Sequence, residues 1–261
     1  MKTPYLDVDA WLGAWPFQYF RDDTAAKLEE RLVSEGFAHA LVGSPEAAFN
    51  HDCLETNRRL LKRLAGRRTL RPVVALDPTK ADWTDALALA RGEGAAAVRL
   101  FPTFHVYELG LPACLAAVER VAADDGLPLF VQMRMEDERT HHLRARVPAP
   151  TVASVIDLAR RFPSLAVVAV CPYYHEAVEL AAGPANLRFD LSHVETLRTV
   201  TSLLSEVPLD RVLLGSHVPF LQSRAALMKI EAPYVSVEAR RAIGWENAEA
   251  ILGRPRASGR F

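Results

Sequence analysis

The stretch that decides the fold runs from residue 95 to residue 131 and reads AAAVRLFPTFHVYELGLPACLAAVERVAADDGLPLFV. Its two ends, residues 95–101 and 127–131, are short apolar runs of strand length. Between them, residues 111–124 carry apolar side chains three or four positions apart on one helical face: Leu111, Leu115, Val118 and Val121. A strand, a helix and a second strand in this order predict a parallel pair joined by a right-handed crossover.

The same alternation extends along the whole chain. Short apolar runs predict strands at residues 5–8, 38–42, 70–76, 95–101, 127–131, 165–170, 187–191 and 212–214. Helical spacing predicts helices at residues 24–35, 51–64, 83–91, 111–124, 151–161, 195–206 and 236–252. Eight strands over 261 residues give roughly 33 residues per unit, which is typical of a closed eight-fold barrel. We therefore predict an α/β fold, a single (β/α)8 TIM-type barrel, regular or distorted, that spans residues 1–261 as one domain.

The alternative is an open, doubly wound sheet, which also alternates strands with helices. Its usual phosphate-binding motifs are missing from the sequence. No GxGxxG follows a predicted strand, and no GxxxxGK followed by Ser or Thr occurs anywhere. The barrel is therefore the preferred prediction.

The composition excludes several classes of protein. The formal net charge is -1, which argues against a dedicated nucleic-acid-binding protein. No apolar run approaches the ~20 residues that span a bilayer, and the opening MKTPYLDVDAW lacks the profile of a secretory signal. We expect a cytoplasmic protein with a small-molecule substrate, no nucleic-acid or membrane partner, and a monomeric or homo-oligomeric state. The three cysteines form no CxxC pair, whereas the eight histidines raise the question of a metal.

The first predicted strand ends in a group of polar side chains. In a barrel of this kind, function lies at the carboxyl ends of the strands. Strand alternation puts Asp7, Asp9 and Trp11 on one face, toward the barrel mouth. The same alternation turns the intervening side chains toward the helices, namely Leu6, Val8 and Ala10. Asp9 either takes part in function or anchors the loop backbone. Asp7 could also anchor the loop backbone.

The fourth predicted strand contains an arginine in an otherwise apolar run. Arg99 needs an anionic partner there, which is either an aspartate of the protein or a ligand. His105 and Tyr107 follow on the loop and offer proton-transfer and hydrogen-bonding groups.

The segment after the fifth strand, QMRMEDERTHH at residues 132–142, is the richest in ionisable groups. Its position directly after a buried strand favours a functional loop over a merely solvated charge run. We select Gln132, Arg134, Glu138 and Arg139 as site residues, since these groups could hold an anion and supply an acid. Of the adjacent histidines at residues 141 and 142, at most one faces the site, and we choose His142.

Two further strand ends carry candidates of different weight. Cys171 follows the sixth strand and is interpreted as a small core residue. His217 follows the eighth strand on a Gly-Ser turn, and it is the best single catalytic candidate, with loop tethering as its alternative role.

Several of these motifs resemble those of a known family. Residues 7–13, DVDAWLG, resemble the D-x-H-x-H-x-G that opens the amidohydrolase superfamily, in its amidohydrolase-2, decarboxylase- and lactonase-like branch. Residues 94–100, GAAAVRL, and residues 247–253, NAEAILG, resemble further motifs of this branch. Residues 214–219, LGSHVP, resemble its G-S-D-x-P. The resemblance covers the chain and implies a TIM barrel with hydrolase or lyase activity.

The metal ligands of that family are replaced in this chain. The resemblance implies ligands at five positions, which here hold Asp9, Trp11, Gln132, Cys171 and His217. An indole cannot ligate, and an amide is a weak donor. Metal-independent lactonases of the same branch grip carboxylates with arginines, and we therefore expect no cofactor. The alternative is zinc held by a rearranged set of Asp9, Cys171 and His217.

These observations give a first functional hypothesis, a metal-independent hydrolase or lyase for a small anionic or oxygenated substrate. His217 would be the general base, Glu138 or His105 the acid, and Asp9 an orienting group. The remaining candidates would contact the substrate: Arg99, Arg134, Arg139, Gln132, Tyr107, Trp11 and His142. The alternatives are a metal-dependent hydrolase with the rearranged site and a catalytically inactive, ligand-binding barrel.

Overall fold

The computed structural model describes residues 4–21, 24–50, 52–123 and 127–252. Its strands form one eight-stranded parallel sheet in chain order. They are β1 (Tyr5–Trp11), β2 (Phe37–Gly43), β3 (Leu70–Leu76), β4 (Ala97–Leu100), β5 (Leu129–Gln132), β6 (Val167–Val170), β7 (Leu187–Asp190) and β8 (Val212–Leu213). The sheet closes because Val8 N donates to Leu214 O at 2.9 Å and Trp11 N donates to Val218 O at 2.8 Å. The predicted (β/α)8 TIM barrel is therefore confirmed.

Helices alternate with the strands around this barrel. They are α1 (Ala25–Glu35), α2 (Cys53–Leu64), α3 (Trp83–Gly92), α4 (Pro112–Ala123), α5 (Val152–Arg161), α6 (Tyr174–Ala181), α7 (Thr199–Leu204), α8 (Ser223–Glu231), α9 (Val237–Arg241) and α10 (Asn247–Leu252). No helix in these described ranges has the length and apolar character needed to cross a membrane.

The helix predictions differ from the structure in four places. The sequence analysis predicted neither α6 nor α8, two short helices of eight and nine residues. The helix predicted at residues 195–206 begins only at Thr199, because Arg198 has a left-handed backbone with φ 53. A π-helical turn, Ala242–Glu246, interrupts the helix predicted at 236–252. His51 and Asp124, the ends of two other predicted helices, lie outside the described residues.

Two layers of apolar packing hold the barrel. The larger layer lies between the strands and the surrounding helices, where Leu28 of α1 and Leu60 of α2 are almost fully buried. The smaller layer fills the barrel interior with side chains from seven of the strands, including Leu41, Phe130 and Val168. Burial of large apolar side chains in both layers supplies the main stabilisation of the fold, on the order of 1.5–3 kcal/mol for each fully buried side chain.

Strand β1 does not keep the strict alternation that the sequence analysis predicted. Leu6 and Val8, expected to face the helices, pack in the interior layer instead. The pairing register of β1 against β2 shifts between residues 7 and 10, and such a bulge re-aims the side chains beyond it. As a result, Asp9 and Trp11 point to the barrel centre, whereas Asp7 bonds to the loop after β8. This shift decides which carboxylate enters the candidate site.

Candidate active site and metal centre

A cavity of about 260 Å³ opens at the carboxyl-terminal end of the barrel. Loops after β5, β7 and β8 supply most of its wall, with side chains that include Met135, Arg139, His141, His193, His217 and Phe220. A larger surface cleft of about 510 Å³ lies between α4 and α5. That cleft contains none of the clustered ionisable groups described below, so the mouth cavity is the better candidate for a functional site.

Three potential metal ligands meet at the floor of the mouth cavity. His217 Nδ1 lies 2.6 Å from Asp9 Oδ2, and Cys171 Sγ lies 3.3 Å from the same oxygen and 3.2 Å from His217 Nδ1. All three residues are fully buried. Within the described part of the chain, they form the one group of three or more His, Cys, Asp or Glu residues compact enough to hold a metal ion. His217 also lines the cavity, so the cluster is adjacent to the space that a ligand would occupy.

The backbone at two of these residues is strained. Among the described residues, four non-glycine residues have positive φ: Val106, Cys171, Arg198 and His217. Cys171 has φ 64 and His217 has φ 56, a left-handed conformation that costs an L-residue about 1–2 kcal/mol. Such strain concentrates at functional sites, where the surrounding structure holds it in place. The backbone strain therefore falls on two of the three residues that the side-chain geometry brings together.

Each of the three side chains is held by a further partner. His217 Nε2 lies 2.8 Å from Met135 O, which can only accept, so this nitrogen carries a proton and Nδ1 faces the cluster. Cys171 Sγ accepts a hydrogen bond from Ser192 Oγ at 3.3 Å. Asp9 Oδ1 forms an ion pair with Arg99 Nη1 at 2.9 Å. Such outer partners fix the orientation of metal ligands in proteins.

The charges around the cluster shift its pKa values in opposite directions. Burial opposes ionisation of Asp9, but the charges of His217 and Arg99 outweigh it and hold the pKa of Asp9 below its usual range. Burial raises the pKa of the Cys171 thiol well above its ordinary value, and the charge of Asp9 raises it further. The thiol is therefore protonated in the absence of a metal, and metal binding would displace that proton.

Arg99, Gln132 and Trp11 lie directly against the cluster. Besides its ion pair with Asp9, Arg99 donates to Gln132 Oε1 at 3.1 Å, and its guanidinium lies 4.2 Å from the centre of the Trp11 ring. Trp11 Nε1 lies 3.0 Å from His217 Nδ1. The structure thus brings these three predicted residues to one place, deep in the barrel. Their contact with substrate stays a prediction.

A second group of charged residues surrounds Tyr173 near the cavity wall. Arg134 is buried, donates twice to the Glu176 carboxylate at 2.8 and 2.6 Å, and lies 3.7 Å from the centre of the Tyr173 ring. Arg139 lies on that ring at 4.4 Å and donates two hydrogen bonds of 2.8 Å to Asp137. Only Arg139 of the two arginines lines the mouth cavity. Arg134 is occupied by protein partners, which favours a structural role for it.

Four other predicted residues do not reach the cluster. His105 Nε2 binds Ala47 O at 2.8 Å, and burial lowers the pKa of His105. Tyr107 is buried, and this burial raises its pKa well above the ordinary value. His142 is exposed and accepts a hydrogen bond at the start of a short helical turn. Glu138 is partly buried beside Arg134, at 3.6 Å, and lines a separate, smaller cavity. Their site roles stay predictions that the geometry does not favour.

The loop after β7 holds residues to which the sequence analysis gave no role. The His193 ring lies 5.1 Å from the His217 ring and lines the mouth cavity. Burial lowers the pKa of His193 well below its usual value, and the charge of His217 adds to this effect. Asp190 Oδ1 accepts from Cys171 N at 2.7 Å and so fixes that strained backbone. Their position directly after a strand was the available signal, but the sequence does not show that β7 ends against the cluster.

Asp7 anchors the end of β1 to the loop after β8. Its Oδ1 accepts from Ser216 N at 2.9 Å and from Asp9 N at 3.0 Å, and Ser216 Oγ donates to Oδ2. Burial raises the pKa of Asp7 from 3.8 to about 7, although these hydrogen bonds act to lower it.

The raised pKa of Asp7 predicts a pH dependence of stability. Between its unfolded and folded pKa values, from 3.8 to about 7, the folded protein keeps a proton that the unfolded chain has lost. The free energy of unfolding should therefore fall as pH rises, by up to about 1.4 kcal/mol per pH unit. Asp7→Asn should weaken this dependence. Urea unfolding of both proteins at about pH 5 and about pH 7 tests it, and equal pH dependence in the two would contradict the assignment.

Comparison with known sequences identifies the family. The profile of a family described as amidohydrolase matches residues 7–254. The chain belongs to the amidohydrolase family. The comparison with curated protein sequences gives no significant match.

Solved structures with the same fold include two decarboxylases and a putative hydrolase. The 2,6-dihydroxybenzoate decarboxylase from Rhizobium has a TM-score of 0.74 at 15% identity, covering 96% of this chain and 99% of its own. The dihydroxybenzoic acid decarboxylase from Polaromonas sp. JS666, with bound manganese and 2-nitroresorcinol, has a TM-score of 0.71 at 16% identity, covering 96% and 97%. A putative 2-pyrone-4,6-dicarboxylic acid hydrolase from Pseudomonas putida has a TM-score of 0.67 at 18% identity, covering 97% and 98%.

The expectation that no cofactor takes part is wrong. A decarboxylase of the same fold carries manganese, and this amidohydrolase family member itself holds a compact Asp/Cys/His group at the barrel mouth. The error arose because the replaced strand-one histidines were taken to remove the site. Ligand atoms around one zinc-sized ion lie about 3–4 Å apart. The separations of Cys171 Sγ from the other two ligand atoms, 3.2 and 3.3 Å, fit that range. The 2.6 Å between His217 Nδ1 and Asp9 Oδ2 requires a small opening, and a metal at Nδ1 would replace the hydrogen bond that Trp11 Nε1 donates to it.

Proposed function

We propose that the protein is a metal-dependent lyase or hydrolase that acts on a small cyclic carboxylate at the mouth cavity. Asp9, Cys171 and His217 would hold the metal. The observation that carries this proposal is the position of His217, which belongs to both the buried ligand cluster and the cavity wall. Three protein ligands beside an open cavity are typical of catalytic rather than structural metal sites.

The cavity supports a small ring compound with an acidic group as the substrate. Its volume of about 260 Å³ suits a single ring better than an extended ligand. Phe220 offers an aromatic surface on its wall, since its ring lies 4.7 Å from that of His217. Arg139 binds Asp137 through Nε and Nη2, which leaves Nη1 free of that pair and able to meet a carboxylate. The decarboxylases and the pyrone hydrolase with this fold are named for substrates of this class.

The chain's own side chains would perform distinct tasks around the metal. A bound metal would polarise a substrate oxygen. Arg139 would hold the carboxylate, and Phe220 would exclude water from one side of the ring. His193 is neutral and faces the cavity, so it could act as a base and take a proton from water or substrate. Hydrolysis needs such a proton removed from water, whereas in decarboxylation His193 could deliver a proton to carbon only after it had first accepted one from solvent or substrate.

Metal removal tests the proposed function directly. The protein is stripped with a chelator, and the stripped and reloaded forms are assayed for CO2 release from hydroxybenzoates and for ring opening of 2-pyrone-4,6-dicarboxylate. We expect turnover of at least one substrate, loss of at least about 100-fold on stripping, and recovery on reloading. Full activity of the stripped protein would contradict metal dependence. Tight binding of these acids with no turnover in any form would instead indicate an inactive, ligand-binding barrel.

Arg139→Gln should weaken substrate binding more than it slows the chemical step. Because the guanidinium lies at the cavity wall and its partners are Asp137 and Tyr173 rather than the ligand cluster, we expect KM to rise about tenfold with kcat changed less than about threefold. Arg144→Gln, an exposed arginine of the same loop, is the matched control and should leave both constants unchanged. Steady-state kinetics measures the two parameters. A KM within experimental error of the unmodified protein would exclude Arg139 as the carboxylate anchor.

A further inference from the structure

We infer that the centre formed by Asp9, Cys171 and His217 selects zinc and discriminates against manganese, the metal bound in a decarboxylase of the same fold. The inference rests on the proposed metal dependence and adds the identity of the metal. Its basis is the chemistry of the donors around the cluster.

The sulfur of Cys171 is the first reason. It lies within 3.3 Å of both other ligand atoms, so a metal bound to those atoms also meets the sulfur. Thiolate is a soft donor that suits zinc, whereas manganese favours carboxylate, carbonyl and water oxygens. One sulfur, one imidazole nitrogen and one carboxylate oxygen match the mixed four-coordinate sites of zinc.

The shortage of free oxygen donors is the second reason. Asp9 Oδ1 is engaged by Arg99, which leaves Oδ2 as its oxygen on the cluster side. Gln132 Oε1 is engaged by the same guanidinium at 3.1 Å. Asp190 Oδ1 and Oδ2 accept from Cys171 N and Ser192 N. An ion that prefers six oxygen ligands would therefore find one carboxylate oxygen, Asp9 Oδ2, that no residue outside the cluster engages.

Burial is the third reason. Asp9, Cys171 and His217 are fully buried, and Trp11 and Arg99 pack against them with almost no exposure. An octahedral ion would need three further ligands in this space, which water could reach only from the cavity side. A tetrahedral ion needs one, and the cavity beside His217 can supply it.

Competition between metals tests the inference without an activity assay. Stripped protein is dialysed against equal concentrations of zinc and manganese, and bound metal is measured by elemental analysis. We expect about one zinc per chain and a preference over manganese of at least about 100-fold. Cobalt serves as a spectroscopic probe, and we expect the near-ultraviolet charge-transfer band that a thiolate gives on binding it. Manganese bound as well as zinc, or cobalt bound without that band, would overturn the inference.

Substitutions at the cysteine sharpen the test. Cys171→Asp replaces the soft sulfur donor with an oxygen donor. Aspartate is also a residue type that tolerates the left-handed backbone at this position. We expect this variant to lose the cobalt band and to reduce the zinc preference at least about tenfold. Cys114→Ala, a buried cysteine in α4, is the matched control and should keep both properties.

The outcomes separate this inference from the proposed function. Zinc selectivity in a protein that turns over no small carboxylate would leave the inference standing and contradict the function. Turnover in a protein that binds manganese at least as well as zinc would do the reverse. No bound metal of any kind would overturn both.

Discussion

His217→Ala is expected to abolish turnover and metal binding together. The substitution removes the nitrogen donor at the cluster and the imidazole at the cavity wall, while Asp9 and Cys171 remain. We expect kcat/KM to fall at least about 1,000-fold, and bound metal to fall from one equivalent to almost none. Steady-state kinetics and elemental analysis measure the two effects on the same preparation.

His142→Ala is the matched control for this substitution. Its side chain is exposed and only accepts a backbone hydrogen bond from Arg144, at 3.2 Å. We expect its activity to stay within about twofold of the unmodified protein. If His217→Ala keeps more than a tenth of the activity with metal still bound, the proposed centre is wrong.

Asp9→Ala is expected to destabilise the metal-free fold strongly. Arg99 is buried, and its ion pair with Asp9 at 2.9 Å supplies its negative partner. Removing one member of a buried pair leaves an uncompensated charge and costs about 3–5 kcal/mol. Urea denaturation of the stripped protein measures the loss in free energy of unfolding.

The double variant Asp9→Ala/Arg99→Met separates the charge effect from simple loss of packing. Because the methionine removes the stranded charge and keeps much of the side-chain volume, at least half of the lost stability should return. A single variant that loses less than about 1 kcal/mol would show that Arg99 does not depend on Asp9. The same conclusion would follow if the double variant were no more stable than the single one.

The fold could be predicted from the sequence because its signal is local. Each strand is an apolar run and each long helix an apolar face, and β3 was predicted with the bounds that the structure shows, Leu70–Leu76. The predictions failed where a single backbone conformation intervened. The left-handed φ of Arg198 delays α7, and the bulge in β1 puts Asp9 and Trp11 on the same interior side as Leu6 and Val8. Neither feature has a periodic signature.

The site was predicted only in part. His217 and Asp9 were selected because they follow strands, and the structure brings them together at 2.6 Å. Cys171 was interpreted as a core residue and named as a ligand only in the alternative zinc site, since a small buried cysteine looks the same in sequence whether it packs or ligates. His105 also follows a strand, but its loop turns it toward Ala47 and away from the barrel centre.

The sequence by itself determined the architecture of this protein, because hydrophobic periodicity is written in neighbouring residues and eight repeats of it leave little choice but a closed barrel. The tertiary structure alone decided which strand-end side chains meet. Asp9 and Cys171 are 162 positions apart, and a further 46 separate Cys171 from His217. Their contact depends on closure of the sheet, on the register shift in β1, and on two left-handed residues that aim a sulfur and an imidazole at one carboxylate. The eight histidines of the sequence therefore raised the question of a metal, and the sequence offered Asp9, Cys171 and His217 as an alternative set of ligands, but only the fold showed that these three side chains meet.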